Sequence, residues 1–373
     1  MARNRPSRIR SKLTHPLKLF THLALLGIGL GTIAGSALKT IALQEKEVQL
    51  IPSGWFSLKR LSLPKIIKVQ NLNNGINENK ISSLNRSFIA TEITALSQRW
   101  KELASKEKDL KASGFLISLD NKKFAKLNPN IVLPAASTIK IPILLVALNM
   151  VDTGQLSWNE LLELNKNVVA GGAGWMAYQP LGKRFPIHEV ATEMIRVSDN
   201  TATNLLIQRI GGIQTLNEKF KELGLPSTQI KNLLPDLEGT NTTSTKDLTR
   251  TIELVDTGKV LSQRTRDLFR EVMSTSITNR LLPGGLLNGL GIEKTDIDYN
   301  LQIKGYRVYN KTGDIGTIYA DAGLIQMPNN TRAVAAFIVK GAFNDPRSAE
   351  LIRKMASAMV PFLIPKRSLQ TQS

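Results

Sequence analysis

The sequence predicts an α+β fold: an antiparallel sheet flanked by N- and C-terminal helices, with a mostly helical subdomain between its strands. Three observations predict it. Strand-like runs rich in β-branched and aromatic residues occur at 114–119 and 123–127, then not again until 306–310, 318–327 and 332–339. The stretch from Ser157 to about Arg270 reads as helices interrupted by turns. Helical spacing also brackets the strands, at 88–110 and at 345–363. Strands at both ends of a helical middle point to a sheet assembled from distant parts of the chain, with helices on its faces.

The first 86 residues read as an address. Arg3, Arg5, Arg8, Arg10, Lys12 and Lys18 make residues 1–18 a basic leader, and residues 19–38 carry no charge. Twenty residues at about 1.5 Å rise match a bilayer's hydrocarbon core. The basic flank predicts a cytoplasmic N-terminus, with everything after Lys39 outside. The segment reads as a retained anchor or as a signal peptide cut after Gly35-Ser36-Ala37; the long leader and full span favour the anchor. Gly27, Gly31 and Gly35 form a weak helix-pairing face. Residues 39–86, broken by Pro52, Gly54, Pro64 and an Asn-rich run at 71–77, read as a tether.

The folded domain is expected over 87–365, with a short tail at 366–373. Its first helix places Ile89, Ile93, Leu96, Trp100 and Leu103 on one face. Asp120-Asn121 turns the first strand into the second, and residues 137–151 form an apolar, buried helix.

Composition narrows the function. The formal net charge is +19, but residues 1–68 hold 12 Lys and Arg against 2 acids, and the remaining 305 residues hold 37 against 28 with no basic block. With few aromatics to stack bases, nucleic acid is not the expected partner; an anionic wall or membrane surface is. The absence of cysteine excludes disulfides, thiol catalysis and cysteine-ligated zinc. His15 and His22 lie in the leader and anchor, which leaves His188 alone in the domain, so neither a two-histidine metal site nor a ready Ser-His-Asp triad can be built. No metal or cofactor is expected.

Hydrolysis by such a chain needs a hydroxyl nucleophile activated by lysine, one helical turn apart. Ser137-Thr138-Ile139-Lys140, opening the apolar helix, fits. A helix N-terminus favours developing negative charge, and the apolar surroundings favour a neutral amine on Lys140. The same spacing at Ser36, Ser62 and Ser105 reads as chance. Ser137 is set apart by company: Ser198-Asp199-Asn200 follows a helical segment, and Lys311-Thr312-Gly313, then Asp314, lies on a late strand.

In these motifs the chain resembles the serine β-lactamase and penicillin-binding protein superfamily, class A β-lactamases most closely, whose motif set is this one. The resemblance covers about residues 87–365 and extends through Asn204-Leu205-Leu206 and Gly211-Gly212. It implies a β-lactamase/transpeptidase-like fold in the bacterial cell envelope, on the periplasmic side, or secreted if the anchor is cleaved. It implies that Ser137 attacks a lactam or peptide carbonyl, Lys140 takes its proton, and Ser198 passes a proton to the leaving nitrogen. Asn200 would hold the substrate amide and Asp199 the loop. Lys311 and Thr312, before Gly313, would bind the substrate carboxylate. The N–H groups of Ser137 and Asp314 would form the oxyanion hole. Tyr178 reads as a cleft wall or as ordinary packing.

The pattern departs in two places. Class A enzymes deacylate with a glutamate followed four residues on by asparagine; here Glu238 and Asn241 are three apart, and alignment on Pro235 and Leu237 puts Leu234 at the glutamate position. Glu238 is thus a candidate base for water, with a surface carboxylate as the alternative. Asp314 and Asp321 add negative charge near Lys311, and residues 318–327 lack an arginine, which disfavours anionic drugs. Three functions follow: a class A-like β-lactamase, a D,D-peptidase or penicillin-binding enzyme acting on peptidoglycan stems, and a non-catalytic envelope-binding protein, to which Lys140 would be of no use.

Overall fold

The computed structural model describes residues 90–292 and 296–363. The predicted leader, anchor, tether and tail lie outside the described residues. Among those described, no helix is long and apolar enough to cross a membrane.

In chain order, β1 (Thr91–Glu92) leads into α1 (Thr94–Ser105), and β2 (Lys111–Ser118) and β3 (Lys123–Leu127) form a hairpin. β4 (Leu133–Pro134) precedes a 3-10 turn over Ala136–Ile139 that runs directly into α2 (Lys140–Asp152). The helical region holds a small ribbon of β5 (Leu161–Glu163) and β6 (Arg184–Pro186), then α3 (Ile187–Arg196), α4 (Asn200–Ile210) and α5 (Gly212–Glu222). β7 (Thr242–Thr243) pairs with β4, and α6 (Thr245–Asp256), α7 (Gln263–Ser274), α8 (Leu282–Gly289) and α9 (Ile297–Ile303) follow. β8 (Arg307–Asp314), β9 (Ile318–Gln326) and β10 (Arg332–Lys340) return to the main sheet, and α10 (Pro346–Ser357) and α11 (Val360–Leu363) come last.

The main sheet runs β1-β3-β2-β10-β9-β8. It is antiparallel except at its first edge, where Thr91 and Glu92 pair parallel with Lys123 and Phe124, so the sheet is mixed rather than wholly antiparallel. The predicted helix over 88–110 is confined to Thr94–Ser105, because the residues before it are drawn into that pairing. In the other direction, the strand expected at 306–310 continues to Asp314, since its ladder with β9 carries on through Lys311, Thr312 and Gly313.

A strand buried on both faces has no need of polar alternation. β10 shows this: Val334, Ala336 and Ile338 enter one core, while Ala333, Ala335, Phe337 and Val339 enter the other. The first core contains α2, whose residues Ile141 to Leu148 are all buried, as a helix apolar all round must be. The second core holds the terminal helices. There Trp100 is fully buried, meets Phe337 edge-on with centroids 5.3 Å apart, and donates its indole N–H to Met355 O at 2.9 Å. Gly114, cross-strand from Phe337, leaves room for that ring: a Cβ there would sit 3.1 Å from it.

Truncating Trp100 removes this ring contact and opens a cavity. Trp100→Ala is expected to lower the unfolding free energy by about 3–5 kcal/mol, read as a fall in the urea midpoint at unchanged slope.

Candidate active site

A 3-10 turn eclipses side chains three apart. Ser137 lies inside such a turn and Lys140 is the first residue of α2, so the two are brought to one edge with Oγ and Nζ 3.2 Å apart. The nucleophile candidate therefore precedes the α-helix and does not form part of it. Ala136, just before it, holds a left-handed φ of 45°, strain of order 1–3 kcal/mol for a non-glycine residue. As a first-turn residue, Ser137 has an N–H without an intrahelical acceptor.

The second motif meets the first at Lys140. Its Nζ lies 2.7 Å from Ser198 O, 2.9 Å from Ser198 Oγ and 3.0 Å from Asn200 Oδ1. Asn200 Nδ2 donates to Gly171 O at 3.0 Å, which turns the amide oxygen toward the amine. Ser198 also holds a left-handed φ, 62°. Asp199 anchors the loop. One of its oxygens accepts Ala202 N–H, capping α4, and the other accepts Trp175 and Met176 N–H at 2.7 and 2.9 Å. Gly174 is required beside it, because a Cβ there would fall 2.2 Å from Asp199 Cγ.

The third motif lies on β8, the free edge of the sheet. Gly313 permits close approach: a Cβ would lie 2.9 Å from both Ala136 Cβ and Ser137 N. Ile315 N–H donates to Ile318 O across the turn into β9. By the alternation of antiparallel pairs, the next pair, Asp314 and Tyr319, is not hydrogen-bonded, so Asp314 N–H points off the open edge. Lys311 is fully buried and donates from Nζ to Thr312 O at 2.8 Å.

Burial dominates the electrostatics. Lys140 has no exposed surface; burial first, then the Lys311 charge, holds its amine well below the ordinary lysine range, against the opposing pull of Asp199. A neutral amine has two N–H groups and a lone pair. In that form Ser198 O and Asn200 Oδ1, which only accept, would take the two N–H groups and leave the lone pair to the hydroxyls of Ser137 and Ser198. Burial likewise pushes Lys311 down to about 8, with Asp321 opposing. Asp321, also fully buried, is pushed up to about 6 although Asn310 Nδ2 and Leu282 N–H donate to it. Asp321 thus serves the junction of β8, β9 and α8 and does not enter the cleft.

The remaining expectations divide. Ser137, Lys140, Ser198 and Asn200 converge, with Lys311, Thr312, Gly313 and Asp314 on the adjoining strand. Glu238 makes no bond to this cluster: it is exposed on the loop between α5 and β7, and among the described residues it has no hydrogen-bond or ion-pair partner. Among the described residues, no carboxylate hydrogen-bonds to Ser137, Lys140 or Ser198. Tyr178 is 81% exposed, so it is not ordinary core packing. His188 is exposed on α3. Sequence reasoning missed two supports. Glu193, buried below the Ser198 loop, accepts Trp175 Nε1–H at 2.7 Å and pairs with Arg196, and its carbonyl accepts Asp199 N–H. Asn204 exchanges hydrogen bonds with both backbone groups of Leu234 (2.7 and 2.9 Å), pinning the loop that carries Glu238. The Gly-rich run at 171–174 was the available signal for the first.

A model of the beta-lactamase enzyme family matches residues 95–363. A beta-lactamase of Rhodobacter capsulatus is 28% identical over 148 residues, 37% of this chain and 48% of that enzyme. Beta-lactamase BRO-1 of Moraxella catarrhalis is 26% identical over 49% of this chain and 64% of its own length, so the chain spans half to two thirds of these relatives. The solved structure of PBP-A is 40% identical, covers 73% of this chain and 97% of its own, and superposes with a TM-score of 0.67. A leucine-to-glutamate mutant of PBP-A is solved as an acyl-enzyme with penicillin G, at 39% identity and a TM-score of 0.68.

The buried acid gives a pH signature. Between about pH 4 and 6 folded Asp321 retains a proton that the unfolded chain releases, so its contribution to stability falls as pH rises through that window. Asp321→Asn abolishes this slope. The stability difference between wild type and variant, from urea melts at pH 4 and pH 6, is expected to move by up to about 3 kcal/mol in the variant's favour at the higher pH.

Proposed function

The chain belongs to the beta-lactamase enzyme family, and from that we propose that it is a serine hydrolase that opens cyclic or peptide amides of the β-lactam and peptidoglycan type through an ester on Ser137. The observation that carries this is the fully buried amine of Lys140, 3.2 Å from Ser137 Oγ and 2.9 Å from Ser198 Oγ, which burial holds well below the ordinary lysine range.

Ser137 Oγ attacks the carbonyl carbon as its proton passes to Lys140 Nζ. The oxyanion is held by the N–H groups of Ser137 and Asp314, where two fixed donors are worth most against developing charge. When the C–N bond breaks, Ser198 Oγ protonates the nitrogen and recovers a proton from Lys140, leaving the acyl group on Ser137. Asn200 orients the substrate amide, and Lys311 and Thr312 line the place of the substituent next to it. Water then cleaves the ester.

The fate of that ester separates the β-lactamase from the penicillin-binding or D,D-peptidase reading. Hydrolytic turnover needs a general base to activate water beside the ester, a carboxylate in the class A enzymes that the chain resembles. Among the described residues no carboxylate is bonded to the cluster, and Glu238 is exposed on its loop. This favours a slowly deacylating, penicillin-binding or D,D-peptidase activity, with hydrolytic β-lactamase turnover as the second reading. A domain tethered outside the cytoplasm by residues 19–38 would meet peptidoglycan stems there.

Intact-mass measurement on residues 69–373 with penicillin G tests the reading. A persistent adduct of the drug's mass is expected, absent in Ser137→Ala and of unchanged lifetime in Glu238→Gln. Rapid clearance to hydrolysed drug, lost in Glu238→Gln, would establish the β-lactamase instead. The second-order acylation rate should also fall above about pH 8, as Lys311 loses its charge, and Lys311→Met should remove that falling limb.

A further inference from the structure

Substrates laid along the free edge of β8 meet side chains of residues two apart on one face of the strand. On one face stand Asn310, Thr312 and Asp314, with Tyr319 and Asp321 beside them on β9. No Lys or Arg occurs on β9 to balance the two acids. Asp321 is buried and fully engaged by Asn310 and Leu282, so its charge is not presented to the cleft. Asp314 differs. It is exposed, its Oδ1 accepts Gly316 N–H at 2.7 Å, and its Oδ2 has no hydrogen-bond or ion-pair partner among the described residues. The backbone N–H of this same residue points off the open edge, and its neighbour Gly313 touches Ser137. A fixed, unpaired negative charge thus stands within one residue of the reacting carbonyl, on the face of Thr312.

Resting on the serine-hydrolase reading, we propose that Asp314 is a charge filter: the site prefers amide substrates that carry a cationic group beside Thr312, then neutral ones, and discriminates against a carboxylate there. Lys311 attracts an anion to the same stretch of strand, but its Nζ is buried and bonded to Thr312 O, whereas the Asp314 carboxylate is exposed. Like charge in a partly desolvated cleft weakens binding and opposite charge strengthens it, which sets specificity more than maximal rate. The filter needs no rearrangement, because the turn from Asp314 to Gly316 already fixes the side chain.

The test compares second-order acylation of Ser137 by three probes that share one ring and acyl group: penicillin G, its methyl ester and its 2-(dimethylamino)ethyl ester, followed by intact mass at pH 7. In the wild type the cationic ester should outpace the neutral ester, and the neutral ester the acid. Asp314→Asn keeps an Oδ1 acceptor for Gly316 and removes only the charge; it should lower the cationic-to-anionic rate ratio by about tenfold, and Asp314→Glu should restore most of it. If adducts form but the ratio is the same in wild type and Asp314→Asn, the filter is wrong and the hydrolase reading stands. If none of the probes forms an adduct on wild type or variant, the hydrolase reading fails and the filter fails with it.

Discussion

The site depends on keeping one amine, Lys140 Nζ, out of water. An isolated buried ammonium is costly by several kcal/mol, and the protein avoids this by favouring the neutral form. That choice has geometric consequences. A neutral amine orders its surroundings by having two donors and one acceptor site, and the carbonyls of Ser198 and Asn200 occupy the donors. What remains is a lone pair directed at two hydroxyls. The base and the proton path are thus a single arrangement, produced by desolvation and completed by hydrogen bonding.

Holding the arrangement requires strain, and the strain is anchored. Left-handed backbone at Ala136 and Ser198 puts the two hydroxyls on the same amine. Such conformations persist when their surroundings over-determine them. Asp199 supplies part of this, receiving three backbone N–H groups, and Glu193 supports the same loop from beneath through Trp175 and Arg196. On the other side, Gly313 lets the edge strand press against the turn at Ser137. The site is therefore a meeting of three segments, each rigid for its own reason.

The same analysis separates the two acids near the lysine of β8. Asp321 is buried and spent on Asn310 and the start of α8, a structural pin whose charge is held inside the fold. Asp314 is exposed and keeps a free oxygen beside the reacting position. Two residues of identical chemistry differ in role because one is buried and the other exposed.

Much was legible in the sequence. The strand patterns at both ends of a helical middle come from apolar runs and β-branched residues, local properties that a sequence displays, and so do the three motifs that carry the chemistry. The uncharged span at 19–38 is legible in the same way. The burial of Lys140 was also foreseeable, from the apolar run that follows it. Other features required the fold. Whether Glu238 reaches Ser137 depends on how Asn204 pins Leu234, a contact between residues thirty positions apart. The parallel pairing of β1, the extension of β8 through Gly313 and the different fates of Asp314 and Asp321 depend on which strand or helix comes alongside. Sequence determines what each segment can bury and which chemistry it carries; only tertiary packing decides which groups lose their water and which partners they find, because both follow from contacts that no local pattern encodes.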